Sequence, residues 1–318
     1  MAKNPTMDMV KGILILLVMG GHAMELADAH GVILWFGSGF RMPLMLGISG
    51  YLLNLVRIRN DAWQELLRRY ANRMLLPWLI ATAVYVSVSD FPVSWDLPIT
   101  LLLRPPFHLW YIPVLFFLIL LTRLVPYEPL KLLGLGAPFS LIIMYAFGLE
   151  HGPLFESLLA PDSRFLLYPV YFFFGVLVAQ ASQAQRFLPV AGIVCACGFL
   201  WWGSLYGSGA EIAYIPARLL MCLGLIALLP VTETLRLEAG PLNAIGRDSL
   251  FFYLWHPMAM AILILTGAGP VATLSLTILL LAVTSRFTAQ HSLVAWLLGI
   301  AAVKRPQMQP ASLTAMAA

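Results

Sequence analysis

Residues 7–22 read MDMVKGILILLVMGGH. The apolar stretch around them, 9–26, approaches the roughly 20 residues that a helix needs to cross a bilayer core of about 30 Å. Lys11 and His22 are the ionisable residues within it, short of Glu25 at its far end. From one to the other the helix rises about 16 Å and turns roughly three times. One helix face therefore carries an ammonium near one membrane surface and an imidazole toward the other. Such groups are costly inside a span and are functional by default. Glu25 stands three residues past His22, within reach on a helix; it either fixes the imidazole tautomer and supports its basicity or is a solvated residue at the helix end.

The rest of the chain repeats this apolar pattern. Hydrophobic residues make up 60% of 318, charged residues 11%, and mean hydropathy is +0.86. A soluble domain carries about 25% charged residues, so too few charges are present to coat a water-facing surface. Apolar stretches run near 9–26, 33–56, 73–89, 108–125, 132–149, 165–182, 187–207, 212–231, 248–266 and 269–286. They predict an all-α integral membrane protein, a single bundle of about ten transmembrane helices. A shorter stretch, 292–303, reads as an interfacial helix. The transmembrane domain is expected over 1–305 and a disordered cytoplasmic tail over 306–318.

Charge sets the orientation. With the N-terminus inside, fourteen basic residues gather on one side: Lys3, Arg57, Arg59, Arg68, Arg69, Arg73, Arg123, Lys131, Arg186, Arg236, Arg247, Arg286, Lys304 and Arg305. The other side has Arg104 and Arg164 together with most of the acidic residues. The positive-inside rule then puts both termini in the cytoplasm, and the net charge of +4 reflects topology, not nucleic-acid binding. The outer loops 90–107 and 150–164 are expected to cap an outward-facing cavity. A rival reading takes the first span as a secretory signal cleaved near Ala27-Asp28-Ala29, which would remove His22.

Four further intramembrane residues need partners: Arg41, Arg218, His256 and, at the outer end of the fourth span, His108. A guanidinium at depth requires a carboxylate, carbonyls or a ligand oxyanion; a lone His is as readily a helix-packing hydrogen-bonder. Arg68, Arg69 and Arg73 crowd the cytoplasmic mouth of the third span, where lipid phosphates or a phosphorylated cytosolic ligand would answer them. No phosphate-binding glycine loop, zinc motif or nucleophile elbow appears; Gly47-Ile-Ser-Gly50 reads as small-residue packing. The histidines are scattered, so no metal site is expected, and Cys195, Cys197 and Cys222 read as helix-packing or lipid-facing thiols.

Five motifs in register over residues 8 to about 257 resemble the acyltransferase 3 family of bacterial membrane-bound acyltransferases. Lys11 and His22 match an opening helix in which ten residues separate a Lys or Arg from an essential His, with Asp8 in register. Met42, Pro43, Leu44, Ser49, Gly50 and Tyr51 resemble its Met-Pro-Leu…Ser-Gly-Tyr signature. His108, Leu109 and Trp110 resemble its His-Leu-Trp motif, Phe174 and Gly175 a Phe-Gly pattern, and Gly246, Ser249, Tyr253, Leu254 and His256 a late Gly…Ser…Tyr-Leu-x-His motif. One departure stands out: the family has Arg-x-x-Arg entering the third span, whereas here Tyr70 lies three before Arg73 and Arg69 lies four before.

The resemblance implies an acyl-CoA-dependent O-acyltransferase of the bacterial inner membrane, with acetyl-CoA the expected donor, no tightly bound cofactor and a carbohydrate or polysaccharide acceptor. His22 would be catalytic, with Glu25 added as its partner on their three-residue spacing; Lys11, Arg69 and Arg73 would bind the donor. Arg41, His108, Trp110, Arg218, Tyr253 and His256 would serve the acceptor or the site's structure. Membrane lipids and a polysaccharide synthesis or export machinery are the implied partners. The competing class is a transporter or flippase of a polar solute, which the intramembrane charges favour but which lacks the expected paired, Gly/Pro-interrupted helices.

Overall fold

The computed structural model describes residues 4–29, 31–89, 91, 94–125, 128–149 and 152–301. The expected disordered tail, 306–318, lies outside the described residues. The described chain is helical, with a single isolated β-bridge between Pro153 and Asp162 in the loop before Arg164, at the end of the bundle that holds His22; that end is termed outer and the Lys11 end inner. In lipid this is dictated: no water is present to satisfy backbone N–H and C=O groups, and a helix satisfies them within its own segment.

Among the described residues seven helices are long and apolar enough to cross a membrane: α1 (Pro5–Leu26), α2 (Val32–Tyr51), α3 (Trp63–Val88), α5 (Pro129–Phe147), α7 (Ala184–Ser204), α8 (Glu211–Thr234) and α11 (Pro270–Thr288). An eighth is formed if α9 (Gly240–Arg247) and α10 (Ser249–Leu265), bent by 87° at Asp248, count as one span. Two shorter apolar helices, α4 (Tyr111–Leu124) and α6 (Arg164–Gln180), fall where the sequence predicts the fourth and sixth crossings. Their shortness has a physical reason. Much of each is buried against other helices, and a helix sheathed by protein need not match the lipid thickness as an exposed one must.

Local sequence explains where the site-bearing helices begin and bend. Asn4 caps α1, its side chain accepting from the Met7 N–H, with Pro5 in the first turn and Asp8 complementing the helix dipole. At the α9–α10 bend the Asp248 carboxylate accepts from the Ser285 hydroxyl (2.7 Å) and the Ala301 N–H (3.3 Å), so an acidic group at depth is answered within the protein. The stretch read as interfacial forms a seven-residue helix, α12 (Ser292–Leu298), docked on the bundle: Trp296 donates to the Asn72 carbonyl and Trp255 to that of Leu298. The three cysteines are free thiols; Cys195 and Cys222 are buried between helices and Cys197 is exposed.

The outer loops fold onto each other. Arg104 donates to the carbonyls of Ala160 and Ser157, and the Asp162 N–H to that of Leu103. Arg164 forms a two-point bond with Asp162 (2.7 and 2.8 Å). Both arginines that the charge count sets outside are thereby spent on loop structure.

Glycines set the closest helix approaches. A Cβ on Gly50 would lie 2.0 Å from the Phe172 carbonyl oxygen, and one on Gly175 2.1 Å from that of Gly47, so α2 and α6 meet backbone to backbone. This is the packing role expected of the Gly-Ile-Ser-Gly stretch. Gly175→Val should therefore cost at least the 1–3 kcal/mol typical of overpacking, about that order, because backbone and not a flexible side chain stands in the way. The loss would be read as a lower unfolding midpoint and poorer monodisperse yield in detergent; a wild-type midpoint would refute the close contact.

Candidate active site

The outer half of α1 carries the first part of the site. His22 Nδ1 donates to Glu25 Oε2 at 2.8 Å, one turn on, which leaves Nε2 with its lone pair free to act as a base. The other Glu25 oxygen faces the Arg41 guanidinium of α2 at 3.5 Å. Arg41 also donates to the carbonyls of Leu17 and Val18. Its guanidinium fills the space in front of Gly21: any Cβ there would sit 1.2 Å from a guanidinium nitrogen. Glycine at 21 is what lets a buried arginine lie flat against α1.

Two more histidines close on His22. The ring centroid of His256 lies 5.3 Å from that of His22, the ring of His108 lies 6.3 Å from it, and His108 and His256 are 5.4 Å apart. The sequence reading treats the histidines as scattered and sets His108 at the outer surface; the fold instead buries His108 and gathers all three. Pro257 helps to arrange this. In α10, Tyr85 bridges the helix ladder beside it, its hydroxyl accepting from the Met258 N–H (3.0 Å) and donating to the Leu254 carbonyl (3.1 Å). His108 Nε2 donates to the same carbonyl at 3.3 Å. His256 Nδ1 donates to the Phe252 carbonyl at 2.8 Å, while its Nε2 is buried without a hydrogen-bond partner. Among the described residues no set of three or more His, Cys, Asp or Glu is disposed to hold a metal.

Tyr253 ties α10 to the start of α4. Its hydroxyl donates to the His108 carbonyl and accepts from the Tyr111 N–H, one of the orphan donors of a helix N-terminus. Tyr111 in turn shares a 2.7 Å hydrogen bond with Ser49. This layer separates two cavities. The outer one, about 760 Å³, is lined by His22, Glu25, Arg41, Trp110, Arg164 and Arg218 among others. The inner one, about 300 Å³, reaches Ser49, Tyr111 and Tyr253 at its floor and Lys11, Arg57, Arg69 and Arg73 at its mouth. Lys11 and His22 thus open onto opposite cavities from one helix.

The arginine departure has a structural counterpart. Residues Ala71–Leu75 form a π-turn inside α3. Such a turn closes i→i+5 bonds and absorbs about one extra residue, so Arg69, four before Arg73, reaches the same pocket that a three-residue spacing would serve in a regular helix. The cations of this mouth are unequally free. Lys11 pairs with Asp8 at 2.6 Å; Arg69, and Arg57 at 3.5 Å, pair with Asp61. Arg73 is exposed, with no carboxylate within ion-pair distance among the described residues. Arg247, which lines the neighbouring cavities, completes the basic ring. Arg57 and Arg247 enter the sequence reading only as topology markers; their membership is set by a loop and a bend that periodicity does not register.

The remaining residues singled out from sequence also line the outer cavity. Trp110 stacks on Tyr168 (5.0 Å) with the Arg164 guanidinium over its ring (4.9 Å). Arg218 Nε donates to the Gly39 carbonyl at 2.9 Å.

Comparison with known proteins gives one match. The family model for acyltransferase 3, described as an acyltransferase domain, matches residues 4–284. No curated protein and no solved structure matches the chain. That match runs from the cap of α1 into α11 and takes in every residue that lines the outer and inner cavities, so this chain belongs to the acyltransferase 3 family and is a multi-pass membrane acyltransferase.

Proposed function

We propose that the protein is an O-acyltransferase, in its simplest form an O-acetyltransferase, that moves an acyl group from cytosolic acyl-CoA to a hydroxyl of a cell-surface or exported carbohydrate. In this reading all ten apolar helices cross the bacterial inner membrane, with both termini cytoplasmic, and the basic cavity faces the cytosol. The observation that carries it is the His22–Glu25 pair, opening on one cavity, with Lys11 of the same helix opening on the other.

The chemistry follows from that layout. The phosphates of the donor would sit among Lys11, Arg69 and Arg73, with the thioester toward the Tyr111–Tyr253 layer. A sugar hydroxyl in the outer cavity would give its proton to His22 Nε2 as its oxygen attacks the thioester carbon. Collapse of the tetrahedral adduct breaks the C–S bond, and the imidazolium returns the proton to the departing thiolate. Glu25 favours the imidazolium by accepting from Nδ1, and Arg41 keeps Glu25 in place. The same histidine acting as transient acyl carrier would need the same free Nε2.

His22→Ala should lower acetyl transfer in membranes by about 10²–10⁴, the usual worth of a general base, with unchanged membrane insertion; Glu25→Gln should lose less and leave the donor KM alone. Near-normal turnover by His22→Ala would remove His22 from the mechanism. At the other end, Arg73→Ala should raise the donor KM by roughly fivefold, about 1 kcal/mol for an exposed cation on a phosphate, and more than Arg69→Ala does. The gap between Arg73→Ala and wild type should narrow as salt rises, because exposed charges are screened. Donor affinity indifferent to both arginines would return them to a purely topological role.

A further inference from the structure

The outer cavity holds three arginines, and they are not equivalent. Arg41 faces Glu25 and two carbonyls of α1. Arg164 is locked to Asp162 by two hydrogen bonds. Arg218, in the first third of α8 and only 6% exposed, has no such counter-ion: the ionisable groups facing it are the phenols of Tyr168 and Tyr171 and the thiol of Cys222, and no carboxylate lies within ion-pair distance among the described residues. The neighbouring Tyr171 hydroxyl is buried without a hydrogen-bond partner. A guanidinium at membrane depth carries a large desolvation cost that phenols and one carbonyl offset only in part. Its fork geometry suits a carboxylate or phosphate approached from the cavity it lines.

The walls around it are aromatic and stiff. Trp35 and Trp202 stack at 4.4 Å and 9°, and each indole N–H donates to the other's carbonyl (3.1 and 3.2 Å). Tyr214 meets Trp35 edge-on at 5.0 Å. Trp110 and Tyr168 form a second stack across the cavity lining. Trp202, Trp110 and Tyr168 are buried and back the wall, while the partly exposed rings of Trp35 and Tyr214, the Trp35 indole N–H already satisfied, offer apolar surface that suits the C–H faces of a pyranose. The volume, about 760 Å³, is in the range that encloses a ligand of that kind.

We propose that this cavity selects an anionic glycan: a pyranose bearing a carboxylate or phosphate, its oxyanion paired with Arg218 and its ring packed on Trp35 and Tyr214. The assignment of this glycan as acyl acceptor rests on the acyltransferase reading above; its binding does not. The test uses the full chain in phosphatidylcholine nanodiscs at low salt, titrated by intrinsic tryptophan fluorescence with methyl glucuronide, glucose 1-phosphate and methyl glucoside. At least one anionic sugar should bind ten times more tightly than the neutral one, and the glucuronide and phosphate arms identify which oxyanion is preferred. Arg218→Gln should erase that advantage and Arg218→Lys should keep part of it, both judged against unchanged unfolding midpoints. The wild-type comparison stands even if Arg218→Gln fails to fold. Equal affinities for the three sugars, binding by none of them, or an anion preference that survives in folded Arg218→Gln would overturn the proposal. Acetyl transfer to the same sugars is scored separately: tight anion binding without transfer to any sugar would refute the assignment of such a glycan as acyl acceptor and leave the anion site standing.

Discussion

Glu25 holds the polar interior of the outer half together. One of its oxygens accepts from His22 and the other faces Arg41, so a single carboxylate orients the imidazole and balances a guanidinium that has no route to water except the cavity. The arrangement is possible only because α1 and α2 come close at Gly21, where a methyl group would displace the arginine. Arg41 is buried and would be costly alone, whereas His22 and Glu25 reach the cavity. Together the three make one satisfied unit at the wall of that cavity.

Helices and their apolar lengths were legible because lipid leaves the chain so little choice. The common face of Lys11 and His22 was legible too, since an α-helix fixes the angle between two residues eleven apart. What sequence could not supply was convergence between helices. Nothing in the spacing of His22, His108 and His256 says that three separate segments turn these rings toward one another; that depends on contacts between them, such as those that Tyr85 and His108 make with the α10 backbone beside Pro257. The π-turn at Ala71–Leu75 was likewise invisible as geometry, although the misplaced Arg69 was its trace in the sequence. Helix lengths differed where sheathing by neighbours relaxed the demand for a full crossing, as in α4 and α6.

The layer between the two cavities is built largely from aromatic hydroxyls. Ser49, Tyr111 and Tyr253 bond in sequence, and Tyr253 reaches the His108 backbone, while Tyr85 mends the ladder opened by Pro257. The partition thus contains a chain of hydrogen bonds among its packed apolar side chains. Polar contacts of this kind are directional and fix how α2, α4 and α10 meet.

The inner mouth is only partly neutralised at rest: two aspartates stand against Lys11, Arg57, Arg69, Arg73 and Arg247. Asp8 and Asp61 already occupy Lys11, Arg57 and Arg69, so a small monovalent anion arriving there gains little by displacing a carboxylate that is tethered and waiting to return. A molecule with several phosphates can seize Arg73 first and then exchange counter-ions one after another along the ring. The tethered aspartates thus leave Arg73 as the member of this ring most open to a first contact, with the other cations released only by exchange of a counter-ion.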